Sequence, residues 1–336
     1  MDNGQWTMYN DSITKKFNHR EAMPSLSIVP CTLSIPRKDF PMNHSTYQNC
    51  ALCPRRCSVD RTAGQLGYCK ASDQLKIARA AAHYWEEPVI SGNFGSGTVF
   101  FSHCTLGCAF CQNTDISVGG YGKEISTARL RELFEQLVDE GCQNINLVTA
   151  THYLPSILPA LYPKLPVPVV YNCGGYESVE TLKQLEGLVD VYLPDFKYSN
   201  NILAKKLSKA PKYKETAATA ILEMYRQTGP YVIQDDEMTR GVLIRHLILP
   251  GQVDNSLGVL DWVADHFEPG QVLFSLMSQY VPMGKAKTMP GLDRPITELE
   301  YDAVLSYMEL LGIEDGYTQD FQAATAEYIP DWDFEE

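Results

Sequence analysis

Three cysteines, Cys104, Cys108 and Cys111, stand in a C-x3-C-x2-C run. Three thiolates can hold three irons of a four-iron cluster and leave the fourth without a protein ligand, much as a catalytic zinc keeps one position open. An open iron is a place for chemistry as well as for electron storage. A second set, Cys50, Cys53, Cys57 and Cys69, has C-x2-C-x3-C-x11-C spacing, so its four thiolates could close the coordination of one centre. A second iron-sulfur cluster and a structural zinc both accept that donor set. Pro54 and two glycines, Gly64 and Gly67, supply the tight turns of such a knuckle.

These residues need elements to hold them. Just before Cys104, Gly97-Thr-Val-Phe-Phe-Ser102 is a β-branched and aromatic run that reads as a buried strand. The cysteines therefore sit on the loop at its C-terminal end, where active sites of parallel α/β architectures collect. Five more strands are expected, over residues 144–149, 167–171, 189–193, 242–249 and 272–277. Helices are expected between them, over 126–140, 153–162, 178–185, 213–228 and 256–266, with Ser126, Ser178 and Ser256 as N-caps. Alternating strands and helices predict an α/β fold with a parallel sheet or partial barrel. The chain divides into a polar extension (1–48), a cysteine-rich metal-binding element (49–92), the partial barrel (93–313) and an acidic tail (314–336).

Composition narrows the classes. With 336 residues and 44% hydrophobic content the chain can bury a large core. A net charge of -13 argues against a nucleic-acid partner, which demands clustered Lys and Arg. The N-terminus lacks the basic and apolar segments of a signal peptide, and no run approaches the roughly 20 apolar residues of a membrane span. Ten cysteines then point to a reducing cytoplasm rather than a disulfide framework. Cys142 and Cys173 read as buried core, and Cys31 has no evident partner.

The cysteine loop, with Phe110 before its last cysteine, resembles the defining loop of the radical S-adenosylmethionine (SAM) superfamily. The resemblance implies a partial (βα)6 barrel, a 4Fe-4S cluster, and SAM chelated at the open iron. It also implies one-electron cleavage of SAM to a 5'-deoxyadenosyl radical that abstracts hydrogen. Further motifs are similar to those of glycyl-radical activating enzymes such as pyruvate formate-lyase activating enzyme. Asn172-Cys-Gly-Gly-Tyr176 resembles their Thr-Asn-Gly turn, Leu193-Pro-Asp-Phe-Lys197 their Asp-Leu-Lys motif, and Ile244-Arg-His-Leu-Ile-Leu-Pro-Gly251 their Arg-His-x-x-x-Pro-Gly strand. Over residues 48–282 the pattern resembles the uncharacterised PflX branch most, with Ala150 where that branch is expected to carry Pro. The sequence departs from the superfamily at Thr149-Ala-Thr-His152, where many members have Gly-Gly-Glu to bind the SAM amino group.

The expected SAM contacts are therefore Thr149, Thr151, His152, Asn172, Asp195, Lys197 and His246. Lys197 would meet the SAM carboxylate, with Asp195 ordering it or holding a monovalent cation. The plain alternatives are a surface ion pair for Asp195 and Lys197 and a satisfied core residue for His246. Arg245 and His246 alternate along one strand, so only one of them can face the interior. His103 either tunes the cluster or packs against it. Tyr171, Tyr176, Tyr192 and Tyr198 form either a dry wall or ordinary core. A flavodoxin or ferredoxin would supply the low-potential electron. The substrate would be a protein or peptide glycine or another molecule, with residues 1–48 shaping access. The competing class is a non-catalytic iron-sulfur carrier or metal sensor, for which the turns at Asn172, Asp195 and Arg245 would have no use.

Overall fold

The computed structural model describes residues 6–8 and 45–321. Most of the 1–48 extension, Cys31 and residues 322–336 of the acidic tail lie outside the described residues. The strands are β1 (Trp6–Met8), β2 (Lys76–His83), β3 (Ser96–Phe101), β4 (Lys123–Glu124), β5 (Ile145–Val148), β6 (Val169–Cys173), β7 (Val191–Pro194), β8 (Val232–Gln234), β9 (Glu237–Leu247), β10 (Leu273–Met277) and β11 (Gly316–Gln319). They form one sheet in the order β1-β11-β10-β9-β7-β6-β5-β3-β2-β4, with β8 paired to β9. From β3 to β11 every neighbouring pair is parallel.

The fold is the expected α/β architecture with a parallel-rich sheet, and the six expected strands lie side by side in chain order. Five strands lie outside the expected six: the short β1, β4 and β8, together with β2 and β11. β2, Lys-Ile-Ala-Arg-Ala-Ala-Ala-His, is rich in alanine rather than β-branched residues, yet it pairs antiparallel with β3. β11 is four residues long and continues the parallel order beyond β10.

Strand residues divide by parity between two apolar layers. Val169, Tyr171, Tyr192, Val242, Ile244, Phe274 and Leu276 join the large layer that the helices cover. Their neighbours Val170, Val191, Leu193, Leu243 and Leu273 form the inner layer, which Val89 and Ile90 of the short helix Pro88–Ser91 plug. Fully burying a Val, Leu or Phe side chain contributes roughly 1.5–3 kcal/mol, so the two layers stabilise both faces.

The longer helices are α1 (Thr127–Asp139), α2 (Asn201–Ser208), α3 (Tyr213–Thr228), α4 (Val253–His266) and α5 (Glu298–Leu310). Ser126 caps α1 as expected, its hydroxyl accepting from the Arg129 N–H at 3.0 Å. Ser256 is a correction. It lies inside α4, buried, and bonds to His246 Nε2. The single helix expected over 153–162 is instead a 3-10 turn, the one-turn helix Leu154–Ile157 and a second 3-10 turn. Pro155 and Pro159 each remove an amide donor, which limits regular α-helix there. Ser178 stands at the N-cap position of Val179–Leu182, but its hydroxyl is spent on the Leu52 carbonyl and Thr181.

Candidate active site

Cys104, Cys108 and Cys111 leave the C-terminal end of β3 and line one cavity of about 250 Å3. Gly107 takes the left-handed conformation, φ +62°, which lets the loop turn back between the first two cysteines. The loop is pinned where the Ala109 N–H donates to the Leu207 carbonyl at 2.8 Å. Burial, with Cys108 and Cys111 alongside, pushes the Cys104 thiol up to about 12, and burial also raises Cys111. A thiolate forms at such a place when a metal compensates it. The donors fit a cluster, since the three thiols ring the cavity and each can take a different iron. Among the described residues no His, Cys, Asp and Glu side chains converge as the ligands of a single metal ion. Three polar groups approach the sulfurs: Ser208 Oγ on Cys108 at 3.0 Å, Ser117 Oγ on Cys111 at 3.3 Å and the Leu106 N–H on Cys104 at 3.4 Å. Contacts of this kind orient thiolate ligands and tune a cluster.

The opposite wall is built from the inner-face parity continued past the apolar layer. Asn172 follows Val170, Asp195 follows Leu193, Arg245 follows Leu243 and Ser275 follows Leu273, so each points inward near the strand ends. Arg245 is the hub. It donates to Asp195 Oδ1 at 2.9 Å, to Glu86 Oε2 at 2.7 Å and to Asn172 Oδ1 at 2.7 Å. Lys197 Nζ meets Asp195 Oδ2 at 2.5 Å. Burial alone would raise the Asp195 carboxyl, but Arg245 and then Lys197 outweigh it and hold it below the carboxylate range. Burial likewise opposes the charges of Lys197 and Arg245, and the carboxylates overcome it, chiefly Asp195 for both. The site therefore keeps fixed charges in a partly dry cavity, where they act more strongly than in water.

Of the expected SAM contacts, Thr149, Asn172, Asp195 and Lys197 line this cavity. Thr149 sits at φ +61°, a conformation rare for a β-branched residue, and its N–H is held by the Asn172 carbonyl at 2.9 Å. Thr151, His152 and His246 do not open onto the cavity, and their expected SAM contacts are corrected by packing. Thr151 donates to Glu177 Oε1 at 2.8 Å, and His152 Nε2 is bonded to the Ser102 carbonyl at 2.8 Å. His246 belongs to the helix-covered parity of β9. Its two ring nitrogens are taken by the Phe196 carbonyl and Ser256, and burial pushes it down to about 4, so it is neutral. The four tyrosines are buried core: each hydroxyl has a protein partner and none lines the cavity.

Sequence reasoning missed Glu86 and Glu87. They precede Pro88 in a stretch with no strand period, and the chain folds them onto the inner face. Glu87 Oε1 accepts from Ser275 Oγ at 2.9 Å, while its buried Oε2 has no hydrogen bond and lies 3.8 Å from Arg245 Nη1. Burial pushes Glu87 up to about 7, with Arg245 pulling it back and Glu86 adding to the rise. Gly175 lets the turn after β6 pack closely against Asp195. At φ +75° a Cβ there would lie 2.3 Å from the Asp195 carbonyl oxygen.

The four cysteines of the second set are free of disulfides, like all nine described cysteines. Cys53, Cys57 and Cys69 are electrostatic neighbours, and burial pushes Cys53 up to about 12. Arg55 ties this knuckle to the first loop. Its Nε donates to the Thr105 carbonyl at 3.0 Å and its guanidinium stacks over Tyr68, 3.6 Å from the ring centre.

A family model described as the Radical SAM superfamily matches residues 98–263. "Uncharacterized protein MJ0674" of Methanocaldococcus jannaschii is 32% identical over 279 residues, covering 80% of this chain and 76% of that protein. The chain belongs to the radical SAM superfamily. Among solved structures it is similar to Streptococcus suis SuiB bound to S-adenosylmethionine, at 12% identity and TM-score 0.46, covering 66% of this chain and 50% of that one. It is also similar to methylornithine synthase (PylB), at 13% and 0.46, covering 64% and 62%. A domain of pyruvate-formate lyase-activating enzyme from Bacteroides vulgatus aligns at 10% and 0.35, covering 57% of this chain and 90% of the domain. The chain spans about half the length of SuiB. Membership in the radical SAM superfamily implies an enzyme that uses a 4Fe-4S cluster to cleave SAM. Among the described residues no helix is long and apolar enough to cross a membrane.

Proposed function

We propose that this radical SAM enzyme abstracts hydrogen from a protein or peptide, in the manner of a glycyl-radical activating enzyme. When bound, the cluster supplies the electron that cleaves SAM to methionine and a 5'-deoxyadenosyl radical. The carrying observation is the single cavity in which Cys104, Cys108 and Cys111 face Asn172, Asp195, Lys197 and Arg245. Lys197 presents an ammonium for a carboxylate, and Asp195 holds it in place; Asn172 is fixed in the same wall, its Nδ2 donating to Glu86 Oε1 at 3.1 Å and its Oδ1 accepting from Arg245. Phe100, Leu106, Phe110 and Met277 exclude water from the remaining wall. The Asp195-Phe-Lys197 and Asn172-Cys-Gly-Gly turns, being similar to those of the activating enzymes, favour a peptide glycine over a small metabolite.

The second cysteine set is read as an additional metal centre, and a flavodoxin or ferredoxin as the electron donor in a reducing cytoplasm. In support of the donor, Lys70, Lys209 and Lys285 rim a second cavity of about 390 Å3 that Cys69, Cys104 and Cys108 also border. A cationic rim on a chain of charge -13 suits an acidic redox partner.

The test is anaerobic reconstitution with iron and sulfide, reduction with dithionite, and chromatography for 5'-deoxyadenosine after SAM is added. The intact protein should form it, and a Cys104→Ala, Cys108→Ala, Cys111→Ala chain should not. Repeating the reaction with extract protein labelled with deuterated glycine reads the target: deuterium in 5'-deoxyadenosine supports glycine as donor. Product without deuterium overturns the glycyl assignment, and no product from a reducible cluster moves the chain to the iron-sulfur carriers.

A further inference from the structure

Arg61 is 1% exposed, and among the described residues no carboxylate forms an ion pair with it. Its guanidinium is satisfied as a set of donors but not as a charge. Nε and Nη2 donate to the Ser72 carbonyl, Nη1 to the His152 carbonyl at 2.6 Å, and the plane lies over the Tyr47 ring, 4.3 Å from its centre. A buried cation of this kind demands an anion, because burial in low dielectric disfavours an unpaired charge. Two thiols of the second set lie within its reach. Nη1 reaches Cys50 Sγ at 3.9 Å, and Cys69 also lies within its electrostatic reach.

We infer that Cys50, Cys53, Cys57 and Cys69 hold an anionic four-thiolate metal centre whose charge Arg61 balances. This rests on reading the second set as a metal centre and adds its charge and counter-ion. A 4Fe-4S cluster fits these electrostatics, since four thiolate charges outweigh the two positive charges of its core, whereas no described side chains converge on a single ion. Two local features fit. The Tyr68 N–H approaches Cys57 Sγ at 3.3 Å, the backbone contact that steadies a thiolate ligand. A Cβ on Gly67 would lie 3.0 Å from the same sulfur, so glycine there keeps that amide close. With the centre in place, Arg61 links it to the barrel through the His152 carbonyl in the 3-10 turn after β5.

The experiment uses the full chain carrying Cys104→Ala, Cys108→Ala and Cys111→Ala, purified anaerobically, so that any bound metal reports the second set alone. About four iron with four sulfide per chain is expected, and about one zinc instead would overturn the cluster. Neither metal at stoichiometric level overturns the centre. Adding Cys57→Ser should remove the metal while the far-ultraviolet circular dichroism of the barrel persists, and retained metal overturns the ligand assignment. Arg61→Met should weaken retention against a chelator by about tenfold or more, while Arg61→Lys, which keeps the charge, should lose much less. Equal retention in Arg61→Met and Arg61→Lys overturns the counter-ion role. Failure of SAM cleavage by the intact radical loop is read in a different variant and leaves these outcomes separate.

Discussion

The two cysteine regions differ in what surrounds equal chemistry. The Cys104 loop offers three thiols to a cavity whose far wall carries Asp195, Lys197 and Arg245. The Cys50 knuckle offers two buried and two half-buried thiols beside Arg61, the one fully buried cation among the described residues. Three ligands with a polar cavity leave a position for a substrate. In the proposed second centre four thiolates would close the coordination and leave a charge for Arg61 to balance. Donor count and the placement of fixed charge together separate a reactive centre from a supporting one, although both sets are cysteines on tight turns.

The comparison breaks most sharply at the first loop. Replacing any one of Cys104, Cys108 or Cys111 by Ala should abolish 5'-deoxyadenosine formation, whereas Cys53→Ala should leave uncoupled SAM cleavage detectable. Equal loss in both would erase the distinction. Next comes Arg245→Met. Asp195 and Glu86 are 15% and 9% exposed, so losing their shared cation strands Glu86 and leaves Asp195 with Lys197 alone. A destabilisation of about 3–5 kcal/mol is expected, read from the urea midpoint under anaerobic conditions.

The order of these effects bears on what the sequence made legible. The thiol spacing after a strand-like run located the reactive loop, and the Asp195, Lys197 and Asn172 turns located most of its wall. Parity showed that Arg245 and His246 must face opposite ways, but choosing between them needed the sheet. Only in the fold does Leu243 meet the inner layer and Ile244 the helices. Glu86 was beyond reach because its partner, Arg245, is 159 positions away and nothing local marks the pairing. Arg61 was silent for the same reason: a cation in a polar stretch reads as surface until burial is known. β2 stayed hidden because its alanines favour helix and its strand state is imposed by pairing with β3.

Glu177 lies between the two regions and tests how tightly they are joined. It bonds Thr151 and Tyr171 on the barrel, and Cys53 of the knuckle feels its charge. Burial pushes Glu177 up to about 8, above its ordinary value of 4.5. Between those values the folded chain keeps a proton that the unfolded chain has lost, so stability falls as pH rises and levels off above about 8. The total is on the order of 4 kcal/mol. Glu177→Gln keeps the shape without the charge and should flatten this slope, raising stability at pH 8 relative to the parent. An unchanged slope would remove Glu177 as the junction's titrating group.

The smallest expected effect sharpens the reactive side alone. Lys197 is 21% exposed and Asp195 keeps Arg245 when Lys197 is removed, so Lys197→Met should cost the fold far less than Arg245→Met. Its loss should appear instead in SAM affinity, because one charge-assisted contact to a carboxylate is worth about 1.5–3 kcal/mol, or roughly tenfold to a hundredfold. The measurement is the SAM concentration dependence of 5'-deoxyadenosine formation beside the urea midpoint of the same preparation. A weakened SAM response at a nearly unchanged midpoint assigns Lys197 to the ligand. A lowered midpoint with an unchanged SAM response would make Lys197 a structural partner of Asp195, and the carboxylate site would pass to Arg245.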